Sequence, residues 1–175
     1  LIVAHLGGGI SLNVHEKGRM VDFVSDEDGP FSPSRAGRLP VTRVIDVCYS
    51  GKYTHKEMKK KVRGEGGLFS YMNTFDAREV EEKINNGDEY AKLIYDAMAL
   101  QIAKSIGELA TVVNGDVDAI IITGGIAYSK YMIKNRVKFI AHVEILPGEN
   151  ELEALAFGGL RVLKGEEEAR IYKED

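Results

Sequence analysis

Two glycine clusters are the most chemically suggestive feature of this sequence. Gly7-Gly8-Gly9 follows an apolar run at residues 1–5, and Gly124-Gly125 follows a second apolar run at residues 119–123. Glycines in a turn leave backbone N–H groups open to a phosphate, and at the carboxyl end of a buried strand they let a flat base or a ribose approach the backbone. The first cluster joins two strand candidates, unlike the P-loop and the dinucleotide fingerprint, whose glycines open a helix. Each cluster is equally compatible with a simple tight turn.

His5 and Arg35 are the side chains best suited to act on a transferring phosphoryl group. His5 is two residues before the first glycine cluster, where it could donate a hydrogen bond to developing negative charge. Arg35 belongs to a stiff loop at residues 31–37, which reads FSPSRAG, and a guanidinium fork suits a carboxylate or a phosphate. A histidine in a strand is commonly structural and a loop arginine is commonly a surface residue, so neither assignment stands alone.

Charged residues at two predicted helix starts complete the candidate set. Asp76 and Arg78 open one helix, where Asp76 could equally be an N-cap. Glu149, Glu151 and Glu153 cluster at the start of the last helix, and one of them could reach a Mg²⁺ ion directly or through its water shell. The alternative is an ordinary acidic helix start, which the helix dipole favours.

The apolar pattern predicts the elements that must position these residues. Strands are predicted at residues 1–5, 10–14, 19–24, 119–123 and 143–146, with the first three in an antiparallel meander and the fourth covered on both faces. Helices are predicted at residues 41–49, 54–63, 76–86, 88–114, 129–139 and 151–164, from capping residues and from apolar spacing of three and four. The longest helix should bury a stripe that begins with Tyr90 and Leu93 and ends at Val113.

Composition excludes several functional classes. The chain is 44% hydrophobic and 29% charged, which is ordinary for a globular domain. A net charge of −4 gives no reason to expect nucleic acid or an anionic membrane as a partner. No apolar run approaches the roughly 20 residues that span a bilayer, and nothing resembles a signal peptide. Cys48 is the only cysteine, so no internal disulfide can form, which suits a reducing cytoplasm.

The first four residues indicate whether the sequence is a whole protein or part of one. Leu1-Ile2-Val3-Ala4 reads as the middle of a buried strand with no polar residues leading into it. This predicts that the 175 residues are part of a longer protein.

Four motifs, taken in order, resemble those of the acetate and butyrate kinases. Residues 5–11 (HLGGGIS) resemble the second phosphate loop of that family, and residues 32–37 (SPSRAG) resemble its (Thr/Ser)-Arg-Ser-Gly loop. Residues 122–126 (ITGGI) are similar to its adenosine motif, and Asn150-Glu151 precedes the final helix as in the family. The triple glycine, residues 28–31 (DGPF) and residues 124–130 (GGIAYSK) are more similar to the butyrate kinases than to the acetate kinases.

The resemblance implies an actin-like ATPase fold, also called ribonuclease H-like, in which two βββαβαβα domains close over ATP. The chain as a whole (1–175) would be the C-terminal, nucleotide-binding domain. The implied reaction is reversible transfer of the ATP γ-phosphoryl group, with Mg²⁺, to a short-chain carboxylate such as butyrate, a branched analogue or acetate. Phosphoryl transfer of this kind depends mainly on positioning and on charge neutralisation.

Roles follow position by position from the resemblance. His5 would stabilise the transferring phosphoryl group, and Arg35 would contact that group or the substrate carboxylate. Glu151 would support Mg²⁺. The phosphate and nucleotide contacts would come from Gly7, Gly8, Gly9, Asp76, Arg78, Gly124, Gly125 and Ile126. The first phosphate loop, a second arginine and a catalytic aspartate of the family have no counterpart in this chain, so half of the active site would lie in another domain.

Two other functional classes remain open on the sequence alone. An actin-fold sugar kinase is one, although such kinases generally have Asp rather than His at the second phosphate loop. A non-catalytic ATP-binding assembly or chaperone module is the other, although it would have no need of a carboxylate-binding arginine. The resemblance also implies a homodimer formed through this domain.

Overall fold

The protein folds around one mixed sheet of five strands. The structure, a computed structural model, describes residues 1–129, 131, 134–148, 151–169 and 171. The strands are β1 (Ile2–Leu6), β2 (Ile10–Glu16), β3 (Arg19–Val24), β4 (Ala119–Gly124) and β5 (His142–Pro147), and their order in the sheet is β3-β2-β1-β4-β5. β1, β2 and β3 pair antiparallel, whereas β4 is parallel to β1 and to β5. The predicted meander and mixed sheet are therefore confirmed.

The centre of the sheet is the most deeply buried part of the chain. Alternate residues of β1 (Ile2, Ala4 and Leu6) are fully buried, because successive side chains of a strand point to opposite faces. β4 alternates in the same way, and the side chains on its other face (Ala119, Ile121 and Thr123) are only partly buried. The expectation that β4 is covered on both faces is therefore wrong for the described chain.

Seven helices and one 3₁₀ turn accompany the sheet in the described part of the chain. They are α1 (Val41–Cys48), α2 (His55–Val62), α3 (Gly67–Met72), α4 (Ala77–Asn85), α5 (Glu89–Val112), α6 (Lys134–Val137) and α7 (Glu151–Leu163), with a 3₁₀ turn at Gly125–Tyr128. α5 packs against β1, β2 and β3, and α4 packs against α5. None of the described helices is long and apolar enough to cross a membrane.

Helix starts agree with the predicted caps. The Thr54 hydroxyl accepts from the N–H of Glu57 while the Glu57 carboxylate accepts from the N–H of Thr54, which is a complete capping box. The Asp76 and Asp88 carboxylates accept backbone N–H bonds at the starts of α4 and α5. A side-chain acceptor satisfies an N–H that the helix itself cannot, and so it fixes where the helix begins.

Three further features differ from the predictions. Tyr90 and Leu93, the first two residues of the predicted stripe, are exposed, and the buried stripe of α5 begins with Ala91, Ile94 and Tyr95. The later residues of the predicted stripe that are buried are Ile94, Met98, Ile102, Ile106 and Leu109. α3 was not predicted. Within the predicted helix at residues 129–139, Ser129 is extended and the described helical residues are Lys134–Val137.

Candidate functional site

A cavity of about 650 Å³ gathers most of the predicted nucleotide residues into one place. Six of them line it: Gly7, Gly8, Asp76, Arg78, Gly125 and Ile126. They come from the turn after β1, the start of α4 and the 3₁₀ turn after β4. The volume is typical of pockets that hold a ligand of cofactor size.

The parallel pairing of β1 with β4 brings the two glycine clusters together. His5 of β1 lies beside Thr123 of β4, so both strands end at the same edge of the sheet. Gly124 has φ +90° and ψ 176°, a conformation essentially restricted to glycine. A Cβ at this position would lie 2.5 Å from the carbonyl oxygen of Leu6. Glycine therefore permits the close approach of β4 to β1 at the point where the two glycine turns begin.

Two serines fix the first glycine turn by hydrogen bonds to its backbone. The carbonyl oxygen of Gly8 accepts hydrogen bonds from the Ser32 hydroxyl at 2.7 Å, from the Ser34 hydroxyl at 2.9 Å and from the Ser34 N–H at 3.2 Å. The peptide bonds of the described chain are trans, so the N–H of Gly9 points opposite to the carbonyl of Gly8, away from these serines. The two serines thus fix the turn, and the N–H of Gly9 is directed away from them.

Asp76 and Arg78 line the cavity as a pair. The Asp76 carboxylate accepts from Arg78 Nε at 2.9 and 3.1 Å and from Arg78 Nη2 at 2.6 Å, and it also caps the N–H of Arg78. Hydrogen bonding to the Arg78 side chain holds the pKa of Asp76 below its ordinary value, so the carboxylate is ionised near neutral pH. Asp76 is therefore an N-cap and a cavity residue at once.

Arg35 lies outside this cavity. It lines a second cavity, also of about 650 Å³, between its own loop and helices α1 and α2. Its Nε donates to Asp26 Oδ2 at 2.9 Å, and the side chain is 21% exposed. The Asp26 carboxylate also packs against Gly9, whose added Cβ would lie 3.1 Å from Asp26 Oδ2. The structure thus connects Arg35 to the first glycine turn through Asp26, which sequence reasoning missed.

The structure describes the position of His5 but not the side chain of Glu151. His5 is half-buried at the end of β1, with Ser11 and Thr123 as its neighbours across the sheet. Glu151 begins α7, but its side chain is outside the part of the chain that is described. Among the described residues no three His, Cys, Asp or Glu side chains group closely enough to hold a metal ion.

Six further cavity residues were not among the predicted ones: Pro33, Phe75, Ala77, Glu81, Tyr128 and Ser129. All six lie within three residues of a predicted site residue along the chain, and this proximity is the signal that could have found them. Glu81 is four residues after Ala77, so both lie on one side of α4.

Comparison with known proteins places the chain in a family. The family model described as "Acetokinase family" matches residues 1–167. A probable butyrate kinase 2 of Caldanaerobacter subterraneus subsp. tengcongensis is 53% identical over 98% of this chain and 50% of its own length. Butyrate kinase 1 of Clostridium acetobutylicum is 51% identical over 99% of this chain and 50% of its own length. The chain therefore spans about half the length of the curated relatives it matches.

Solved structures agree in fold. Porphyromonas gingivalis acetate kinase superposes with a TM-score of 0.82 at 20% identity, over 93% of this chain and 48% of that one. Acetate kinase from Entamoeba histolytica superposes with a TM-score of 0.79 at 20% identity, over 91% and 51%. The predicted actin-like ATPase fold is confirmed.

Proposed function

The chain belongs to the acetokinase family, and from that premise we propose that it provides the nucleotide site of a kinase that phosphorylates a short-chain carboxylate. The γ-phosphoryl group of ATP would pass to a carboxylate oxygen as its bond to the ADP oxygen breaks, giving an acyl phosphate and ADP, reversibly. The observation that carries the proposal is the single cavity that joins the glycine turn after β1 to the glycine turn after β4.

Butyrate or a branched analogue is the proposed acceptor, with acetate as a weaker one. The support is the naming of the relatives at 51–53% identity as butyrate kinases, together with the triple-glycine form of the first turn. The reaction would take place in the cytoplasm, as a step in short-chain fatty acid metabolism.

Charge at the phosphate end of the site would be neutralised by several groups together. Backbone N–H groups of Gly8 and Gly9 would hold phosphate, and Gly7 would shape the turn, since its N–H donates to the Gly9 carbonyl oxygen at 3.0 Å. His5 and Arg35 would act on the transferring group. Mg²⁺ would reach the ATP phosphates with help from Glu151, directly or through water. This ion commonly keeps several waters and needs only one or two carboxylates when phosphates supply the other ligands.

A second domain is part of the proposal, with residues 1–175 as the C-terminal domain. Several large apolar side chains of α7 are exposed, among them Leu152 (85%), Leu155 (73%) and Leu163 (86%). A surface of this kind on a monomeric domain commonly marks a contact with another protein surface. The family's N-terminal half would bring the first phosphate loop, a second arginine and an aspartate.

We expect the 175-residue chain alone to bind ATP weakly and to form no acyl phosphate, whereas the full-length protein forms it. The reason is that transfer requires groups from both sides of the cleft to be positioned together. Acyl phosphate formation by each protein is measured by trapping the product with hydroxylamine. The acids tested run from acetate to branched five-carbon acids. Product from the short chain would refute the need for a second half. No product from the full-length protein with any acid would refute the proposed function.

We also propose a homodimer formed through this domain. α1 has no buried residue and exposes Val41 and Ile45, and Tyr49 directly after the helix is also exposed. A stable interface buries on the order of 1,600 Å², so the dimer should persist at micromolar concentration. Light scattering on the full-length protein measures this, and a monomer throughout the micromolar range would contradict the assignment.

A further inference from the structure

A carboxylate that the proposed transfer does not use lies between Arg35 and the glycine turn after β1. Asp26 comes directly after the end of β3 and Ser25, and its Oδ2 accepts a hydrogen bond from Arg35 Nε at 2.9 Å. The Asp26 side chain is 30% exposed and that of Arg35 is 21% exposed, so water reaches little of the pair. Such a charge-assisted hydrogen bond is stronger than an exposed ion pair, and it restricts the orientations of the guanidinium.

Asp26 also packs directly against the glycine turn. A Cβ added at Gly9 would lie 3.1 Å from Asp26 Oδ2 and 3.2 Å from Asp26 Cβ, which is tighter than ordinary van der Waals contact. The φ of Gly9 is not in the left-handed region, so the backbone at this position does not itself require glycine. The absence of a side chain at Gly9 therefore lets the Asp26 carboxylate approach the turn.

The backbone of Arg35 is connected to the same turn by a separate contact. The hydroxyl of Ser32, which is fully buried, accepts the N–H of Arg35 at 3.1 Å and donates to the carbonyl oxygen of Gly8 at 2.7 Å. Arg35 is thus fixed relative to the turn at two points, its backbone through Ser32 and its Nε through Asp26. A long side chain held only at its backbone samples many rotamers, and a second anchor removes most of that freedom.

Arg63 is another cation near Asp26, but it has a partner of its own. Its Nη2 is 3.9 Å from Asp26 Oδ2, whereas its Nη1 donates to Glu27 Oε1 at 2.6 Å. The hydrogen bond of the Asp26 carboxylate goes to Arg35, and Arg63 would keep Glu27 if Asp26 were removed. The geometry therefore assigns Asp26 to Arg35.

We propose that Asp26 is a positioning residue for phosphoryl transfer, an inference that rests on the proposed kinase function and on the role of Arg35 in it. The carboxylate holds Arg35 by Nε, which leaves Nη1 and Nη2 to face the transferring group. Because the same carboxylate packs against Gly9, the guanidinium and the phosphate-binding turn keep a fixed spacing. Asp26 acts through Arg35 and does not itself touch the substrate.

The test is Asp26→Ala and Asp26→Asn in the full-length protein, with steady-state kinetics measured by hydroxylamine trapping. Asp26→Ala should lower kcat by about 10²-fold, the usual cost of misplacing a reacting group by about 1 Å. Asp26→Asn keeps the shape and an acceptor oxygen but loses the charge, so its kcat should be only about tenfold below wild type. KM for ATP should change by no more than about twofold, as expected when binding in the ground state is unaffected.

A double-mutant cycle separates positioning from a general effect on structure. If Asp26 acts through Arg35, Asp26→Ala should have no further effect on kcat once Arg35 is alanine, because the group that it orients is gone. Additive losses of rate in the double variant would overturn the proposal. An unchanged kcat in Asp26→Ala alone would overturn it as well. Asparagine is close to aspartate in size and shape, so the cycle can be run with Asp26→Asn if the alanine variant does not fold.

Two control variants share the surroundings of Asp26. Glu27→Ala removes the neighbouring carboxylate, which bonds Arg63 and not Arg35, and it should leave kcat unchanged. Arg63→Ala should also leave kcat unchanged. A loss of rate in Arg63→Ala equal to that in Asp26→Ala would contradict the proposal, because Asp26 would then act through Arg63.

Failure of the two proposals can be told apart. Absence of acyl phosphate from the wild-type protein with any acid refutes the kinase function, and the role of Asp26 with it. Acyl phosphate formation by the wild type together with an additive cycle refutes only the present inference.

Discussion

Replacing Arg35 with alanine in the full-length protein should lower kcat by roughly 10³–10⁵-fold, the range seen when a guanidinium that neutralises transition-state charge is lost. Arg35 Nε is bonded to Asp26, and the Asp26 carboxylate packs against Gly9 of the glycine turn. This leaves the two terminal nitrogens of the guanidinium to act on the transferring group. ATP affinity should change little, because Arg35 lies outside the cavity that holds the proposed nucleotide contacts.

The Arg35→Lys variant tests whether a positive charge is sufficient at this position or whether the forked guanidinium is required. A lysine has one terminal nitrogen, so it cannot bond Asp26 and a phosphoryl oxygen in the way that a planar fork can. It should recover only part of the lost rate. Arg38→Ala is the matched control, because Arg38 lies three residues along the same loop and pairs with Glu108 on the surface.

The measurements are steady-state kinetics and nucleotide titration of all three variants. A kcat for Arg35→Ala within a few-fold of wild type would show that Arg35 merely anchors Asp26 and its loop. Equal losses in the Arg35 and Arg38 variants would point to damage of the loop instead of a lost contact with the reacting group.

Gly124→Ala should destabilise the protein by roughly 2–6 kcal/mol, as the sum of backbone strain and overpacking. Gly124 has φ +90°, and its added Cβ would lie 2.5 Å from the oxygen, 2.7 Å from the carbonyl carbon and 2.8 Å from the nitrogen of Leu6. These are backbone atoms of the central strand β1, which is paired on both sides. The strand cannot move aside without breaking its ladders.

Gly125→Ala is the control for this prediction, one residue further along. A Cβ at Gly125 would meet nothing within 4 Å, and its φ is not in the left-handed region. Its stability should therefore stay within about 0.5 kcal/mol of wild type, as for substitutions that avoid packing and backbone strain. Urea denaturation of the wild type and both variants, followed by circular dichroism, measures the difference. Similar midpoints for the two variants would show that the close approach of β4 to β1 is not needed.

Local features of the fold were predictable because they depend on residues close together in sequence. The Thr54 capping box and the Asp88 cap each involve a backbone N–H within three residues, and both are confirmed. The strands of the meander were predictable for a similar reason, since short turns such as Lys17-Gly18 leave antiparallel pairing as the simple outcome.

Features that depend on packing were predicted less well. α3 is only six residues long, and its first residue, Gly67, adopts φ +59° against the backbone of Ser32 and Arg35. No periodic pattern marks so short a helix. The exposure of Tyr90 and Leu93 has the same origin, because apolar spacing predicts the buried stripe of α5 but only packing decides which residues at its margin are covered.

The sequence by itself determined the family, the strand order of the meander and the residues proposed to contact phosphate and nucleotide, because motifs and alternation depend only on the order of residues along the chain. Tertiary structure decided which of those residues share a cavity. Parallel pairing of β1 with β4 joined the two glycine turns, and a contact across the Arg35 loop placed Asp26 between Arg35 and Gly9. Packing of α4 on α5 brought Glu81 to Tyr95, and the turn after β4 added Ser129. Such groups converge only when distant elements pack, so spacing along the chain does not reveal them.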